Sequence, residues 1–338
     1  MSATGSGAAI FGCEGPRLTE SERAFFRDFD PFGFILFARN VEDPDQLRRL
    51  TGDLRAAVGR DAPILIDQEG GRVQRLRAPH WRDWDPPLDM VARAGGHAMR
   101  AMSIRARLIA QELRAVGIDA NCAPCADIAG AATHPFLHNR CYGSDPVTVA
   151  ALARVTAEAH LAGGVLPVVK HLPGHGRATA DTHLHLPTVA EPLDTLNATD
   201  FAPFRALADL PMAMTAHIVF AAIDPDRPAT QSPAVIRVIR EVIGFGGLLM
   251  TDDLNMQALS GDLADRTGRA IAAGCDIALH CKGDLDEMVM VAGAAGAMSA
   301  AAQDRARAAL ARRLPPEPVD IGALEAELSG LLHGTPDV

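Results

Sequence analysis

Lysine and tyrosine are almost missing from this chain. Of its 32 basic residues 30 are arginines, which leaves Lys170 and Lys282 alone, and Tyr142 is the single tyrosine. A lysine kept against such a bias marks a place where a compact ammonium does what a planar guanidinium does not. Cysteine is also scarce: six in 338 residues fall short of a disulfide scaffold and match a reducing compartment. Cys122 and Cys125 form a lone C-x-x-C, but Pro124 lies inside it and no second pair has ligand spacing, so redox or zinc chemistry is not expected there. Long apolar runs are absent, none reaching the ~20 residues that cross a bilayer. The Ala/Gly-rich stretch Val289–Ala302 is short and bounded by charge, and reads as a buried helix. No basic residue precedes Arg17, and the apolar stretch Ala8–Cys13 is shorter than the ~7–15-residue core of a secretory signal, so a cytoplasmic protein is expected. The net charge of −10 argues against nucleic acid or an anionic membrane as partner. An anionic ligand would have to be met by a local cluster.

What is present is a regular alternation. Short apolar runs suited to buried parallel strands occur at Ala8–Cys13, Gly33–Phe37, Pro63–Asp67, Asp119–Cys122, Val165–Lys170, Ala213–His217, Gly247–Thr251 and Asp276–His280. Helical signals lie between them. Asp43 as N-cap and Pro44 at the first helical position precede Leu47, Leu50, Leu54 and Val58, and Gly59 ends the pattern. Asp145-Pro146 opens a stretch with Val149, Leu152 and Val155 on one face, and Ile104, Leu108, Ile109, Leu113 and Val116 form another stripe. Eight strand-helix units with no linker between them predict a single-domain α/β protein, a (β/α)₈ barrel, rather than an open doubly wound sheet. Gly12-Cys13-Glu14-Gly15 is not the dinucleotide fingerprint the open sheet would favour. The barrel is expected over residues 1–313, with a C-terminal helix and tail over 314–338.

In such a barrel the reactive side chains stand where strands end. The third strand ends in Asp67-Gln68-Glu69-Gly70-Gly71-Arg72-Val73-Gln74-Arg75, where two glycines permit a tight turn. A carboxylate there can accept from two sugar hydroxyls, and Arg75 can donate a planar fork. After the fifth strand, Lys170-His171-Leu172-Pro173-Gly174-His175-Gly176 continues to Asp181-Thr182-His183-Leu184-His185. Two chemistries compete for these residues. His183 and His185 with His171 or His175 would bind a divalent metal, as in metal-dependent amidohydrolases. Alternatively Asp181 orients His183 so that it gives and recovers a proton near neutral pH. The seventh strand ends in Thr251-Asp252-Asp253, two consecutive acids whose burial has little structural motive. Successive strand residues point to opposite sides, so at most one of the two is expected to face the barrel centre while regular geometry holds, and the pattern does not say which. His217 is a further rim candidate, with a structural role as the alternative. Arg140, in Asn139-Arg140-Cys141-Tyr142, either meets a ligand anion or pairs with a rim acid.

The segments 67–72, 170–176, 181–183 and 251–254 resemble glycoside hydrolase family 3, and their order and spacing resemble its single-domain bacterial β-N-acetylglucosaminidases of peptidoglycan recycling. The resemblance runs from about Ala8 to Leu310. It implies that Asp252 is the nucleophile and His183 the acid/base with Asp181 as its partner. It also implies that Asp67, Arg75, Arg140, Lys170 and His171 surround the N-acetylglucosamine. One departure is Leu172, where the family usually has Phe. The implied enzyme is a monomer acting on a small muropeptide, with neither cofactor nor metal. A metal-dependent amidohydrolase and a non-catalytic sugar-binding barrel are the competing readings.

Overall fold

The structure, a computed structural model, describes residues 4–179 and 185–333. Eight parallel strands close into a barrel: β1 (Gly7–Phe11), β2 (Pro31–Leu36), β3 (Ile64–Ile66), β4 (Ala120–Asn121), β5 (Leu166–Leu172), β6 (Met212–Thr215), β7 (Leu248–Asp253) and β8 (Ile277–His280). They neighbour one another in chain order, and β1 closes the ring by pairing with β2 through Ile10 and Gly33 and with β8 through Ala9 and Ala278. Every residue of β1, β2 and β5 is buried. This is why these strands read as continuous apolar runs: a parallel barrel strand has side chains in the lumen on one side and helices on the other, with no face left for water. All eight expected strands are present, and the fold is the (β/α)₈ barrel.

The helices start and stop where their caps dictate. Asp43 accepts the backbone N–H of Gln46 at the head of the helix Pro44–Val58, and Gly59 ends it at φ 64°. Asp145 does the same through Thr148 for Pro146–Ala162. The stripe beginning at Ile104 lies in the helix Ala98–Ala115, which packs against Pro146–Ala162 on one side and the C-terminal helix Ile321–His333 on another.

One expectation fails. Val289–Ala302 is not a buried helix: Leu285–Ala295 ends at Gly296, whose φ is 61°, and Ala300–Ala311 begins afresh behind the N-cap Ser299. Val289 and Met290 are 53% and 43% exposed. Mean composition concealed the positive-φ glycine and the serine cap that split the run. No helix among the described residues is long and apolar enough to cross a membrane.

Candidate active site

The strand ends carry a connected set of ion pairs. Directly after β3, Asp67 Oδ1 accepts from Lys170 Nζ at 2.8 Å and Oδ2 accepts from Arg75 Nη2 at 3.0 Å. Lys170 also lies 2.6 Å from Glu69 Oε1. Arg140 grips Glu69 with two parallel bonds, Nε to Oε2 at 3.0 Å and Nη2 to Oε1 at 2.8 Å. The turn that aims both acids depends on Gly70, at φ 106°, where a Cβ would collide with the Arg105 guanidinium and with Asp85 O at 2.7 Å. Burial pushes the Asp67 and Glu69 carboxyls up, but the surrounding cations pull harder: Asp67 ends well below the usual carboxylate range through Lys170 and Arg75, and Glu69 falls to about 2 through Arg140 and Lys170. Burial likewise opposes the charge on Lys170, and Asp67 and Glu69 raise its pKa above the ordinary lysine value. Three cations and two anions thus stay charged in a site where any one alone would be costly.

Below this network, His171 Nδ1 lies 2.6 Å from Asp127 Oδ2. Its Nε2 lies 3.5 Å from Arg140 Nη2. Asp127 Oδ1 accepts the backbone N–H of His175 at 2.7 Å. Burial raises the Asp127 carboxyl, His171 more than offsets this, and it settles at about 2. The His175 ring stands edge-on to His171, 5.2 Å between centroids, and neither of its nitrogens has a partner among the described residues. Burial, reinforced by His171, lowers its pKa to about 3, so it is neutral at physiological pH. Its position is fixed from behind, because at Gly176 a Cβ would run into the backbone of Ile128.

Across the barrel, β7 delivers its two acids. Asp252 Oδ1 accepts the N–H of Asp253 at 2.8 Å. Burial raises its carboxyl, and His217 and His171 outweigh that and keep it below the ordinary value. Asp253 Oδ1 accepts from Cys281 N at 3.1 Å and Asn255 N at 3.2 Å, and burial raises this carboxyl to about 6. Both acids line the central cavity, so the expectation that one would turn away fails. The pairing of β7 with β8 shifts register between Ile277 and Leu279, and strict alternation ends there. His217 is structural: Nδ1 meets Thr230 Oγ1 at 2.8 Å and Nε2 meets Asp253 O at 3.0 Å, which ties down the tip of β7.

The cavity has a volume of about 210 Å³, and Asp67, Arg75, Arg140, Lys170, His171 and Asp252 all line it. Arg140 thus pairs with the rim acid Glu69, the second of the two alternatives, and it also lines the pocket. Asp181 and His183 lie outside the described residues. His185 is exposed and not part of the cavity wall. Among the described residues, the ligand-type atoms that come within 4.8 Å of one another belong to Cys125, Asp127 and His171, a different set from the expected histidine cluster. Asp127 and Glu69 were given no site role from sequence, and His175 was considered only as a metal ligand. The only signal for Asp127 was its place just after β4, where a barrel turns toward its active face.

A model of the Glycosyl hydrolase family 3 N terminal domain matches residues 16–312. The chain belongs to glycosyl hydrolase family 3. A family relative from Methylococcus capsulatus, named beta-hexosaminidase, is 38% identical over 279 residues, 80% of this chain and 82% of that protein. Another beta-hexosaminidase, from Alkalilimnicola ehrlichii, is 39% identical over 291 residues, 81% and 80% of the two chains. Among solved structures, family member NagZ from Neisseria gonorrhoeae in complex with N-trifluoroacetyl-D-glucosamine superposes with TM-score 0.84 at 29% identity, over 98% of this chain and 100% of that one. The family-3 β-N-acetylglucosaminidase from Paenibacillus sp. gives 0.83 at 28% identity, over 96% of this chain and 67% of that one.

Proposed function

We propose that this family-3 barrel removes terminal N-acetylglucosamine from muropeptides, N-acetylglucosaminyl-1,6-anhydro-N-acetylmuramic acid with or without peptide, through a covalent glycosyl-enzyme on Asp252. The chain is a glycoside hydrolase, a β-N-acetylhexosaminidase, in keeping with its family and relatives. One observation carries the finer reading: the Asp252 carboxylate opens into the same small cavity as Asp67, Arg75, Lys170 and His171. Those four present charged donors and acceptors of the kind that hold sugar hydroxyls. Asp252, held ionised by its surroundings, is a competent nucleophile toward the anomeric carbon.

In the retaining scheme His183 protonates the leaving oxygen as Asp252 attacks C1, with Asp181 orienting the imidazole. His183 then takes a proton from water, and the freed hydroxide equivalent releases N-acetylglucosamine. Lys170, Arg75 and Asp67 fix the ring, and His171, oriented by Asp127, presents Nε2 to a ligand hydroxyl. The 1,6-anhydro product side and its peptide would lie at the cavity mouth.

The test is hydrolysis of p-nitrophenyl N-acetyl-β-glucosaminide and of the natural disaccharide by wild type and Asp252→Ala. Wild type is expected to turn over both and the variant neither, with no loss of wild-type activity on chelation. Undiminished turnover by the variant overturns the assignment, and activity that vanishes with the chelator favours the amidohydrolase reading.

A further inference from the structure

A second constellation forms where the turn after β4 meets the end of β5. Cys125 Sγ lies 3.4 Å from Asp127 Oδ2, which in turn lies 2.6 Å from His171 Nδ1. These three ligand-type atoms all fall within 4.8 Å of one another, and all three residues are buried. Cys125 does not pack with Cys122, its neighbour in the C-x-x-C. It sits instead beside Cys141, in a small cluster with Ala129 and Leu137 that is separate from the main core. A thiol, a carboxylate and an imidazole make a donor set for zinc, whereas magnesium and calcium take oxygen ligands. Ligands of one tetrahedral zinc stand about 3.4–3.6 Å apart, given metal–ligand bonds of about 2.0–2.3 Å. The separation of Cys125 from Asp127 already has that value, and the His171–Asp127 bond has to open by about 0.8 Å to reach it.

We infer that Cys125, Asp127 and His171 form a site for a thiophilic divalent cation of the zinc class. Cys125 binds as the thiolate: the sulfur–metal bond forms, the S–H bond breaks, and the proton leaves to solvent. The imidazole binds in its neutral form. Thiolate and carboxylate then set two negative charges against the two positive charges of the ion, so the filled site carries no net charge, which is the condition a buried position tolerates. A monovalent ion would leave one negative charge buried and unpaired. His171 also lines the central cavity, which gives an ion a way in from solvent as far as the imidazole. The apolar side chains around Cys141 pack behind the sulfur.

The test titrates the full, reduced chain with cobalt(II), whose absorption reports its ligands. Wild type should take up one cobalt per chain, with a sulfur-to-metal charge-transfer band in the near ultraviolet and intense tetrahedral bands in the visible, and zinc(II) should bleach both. Cys125→Ser keeps a hydroxyl beside Asp127 and removes the soft donor. It should lose the charge-transfer band and bind zinc(II) more than about 100-fold more weakly, beyond what loss of an outer-shell partner costs. Cys122→Ala should keep the wild-type spectrum. Cobalt bound without the charge-transfer band sits on the cavity carboxylates and overturns the inference. So does a wild type that binds no cobalt, a band that survives Cys125→Ser, or one that disappears from Cys122→Ala. Should Cys125→Ser fail to fold, cadmium NMR of the wild type decides: a shift typical of sulfur ligation supports the site, and a shift typical of oxygen and nitrogen ligands alone overturns it. None of these readouts depends on glycoside hydrolysis.

Discussion

Lys170 Nζ lies 2.6 Å from Glu69 Oε1, and both side chains are 2% exposed. A pair so deep survives because each partner is shared: Glu69 is also held by Arg140 and Lys170 by Asp67. Removing one member strands the rest, and breaking a buried pair in this way costs about 3–5 kcal/mol. An ammonium here can meet two carboxylates at once from the end of a thin stem, which accounts for a lysine in a chain of arginines.

Glu69→Gln should therefore lower stability by about 3–5 kcal/mol at neutral pH, read by denaturant unfolding. The sign with pH is fixed. Glu69 has its pKa lowered from 4.5 to about 2, so its contribution is full above 4.5 and fades as pH falls toward 2. The gap between wild type and variant should narrow over that window; a gap that stays constant contradicts the assignment.

Asp253 behaves oppositely. Its carboxyl is raised from 3.8 to about 6, so the folded state disfavours its ionised form, and the associated stability is present below 3.8 and lost as pH rises through about 6. Asp253→Asn keeps an oxygen for the Cys281 and Asn255 amides while removing the charge. Its melting temperature should exceed that of wild type at pH 7.5, with the gain gone near pH 4. A melting temperature below wild type at pH 7.5 would count against this account.

His175 carries two buried nitrogens with no partner among the described residues. Replacing an unsatisfied polar group by an apolar one of similar size is neutral or stabilising, since about 1–3 kcal/mol of desolvation cost is removed. His175→Leu should unfold at the same or higher denaturant concentration. A clear drop would mean that ordered water satisfies the imidazole.

General acid catalysis contributes about 10²–10⁴-fold, and a p-nitrophenolate leaves without needing a proton. His183→Ala should thus lose far more on the natural disaccharide than on p-nitrophenyl N-acetyl-β-glucosaminide. Equal losses on the two substrates would remove His183 from the proton-transfer role.

Sequence patterning revealed the barrel because each strand, buried on both sides, leaves an apolar run, and because Asp43, Gly59 and Asp145 mark helix ends by local chemistry alone. It brought Asp67, Arg75, Lys170, His171 and Asp252 to the strand ends for the same reason. The pairings were beyond it. Glu69 and Arg140 are 71 positions apart and Asp127 and His171 are 44 apart, and nothing local in either member announces the other. Residues 289–302 misled because average hydropathy ignores a single glycine at positive φ. Asp252 and Asp253 both face the cavity because strand register slips at that end, a property of two paired strands and not of one.

The central claim is that Asp252 bonds to the anomeric carbon, and intact mass spectrometry after incubation with a 5-fluoro-N-acetylglucosaminyl fluoride, which keeps the 2-acetamido group, measures it directly. The account predicts one added glycosyl mass, mapped by peptide digestion to Asp252 and missing from Asp252→Ala. An active wild type that accumulates no adduct, or one whose label maps to Asp253, would contradict it.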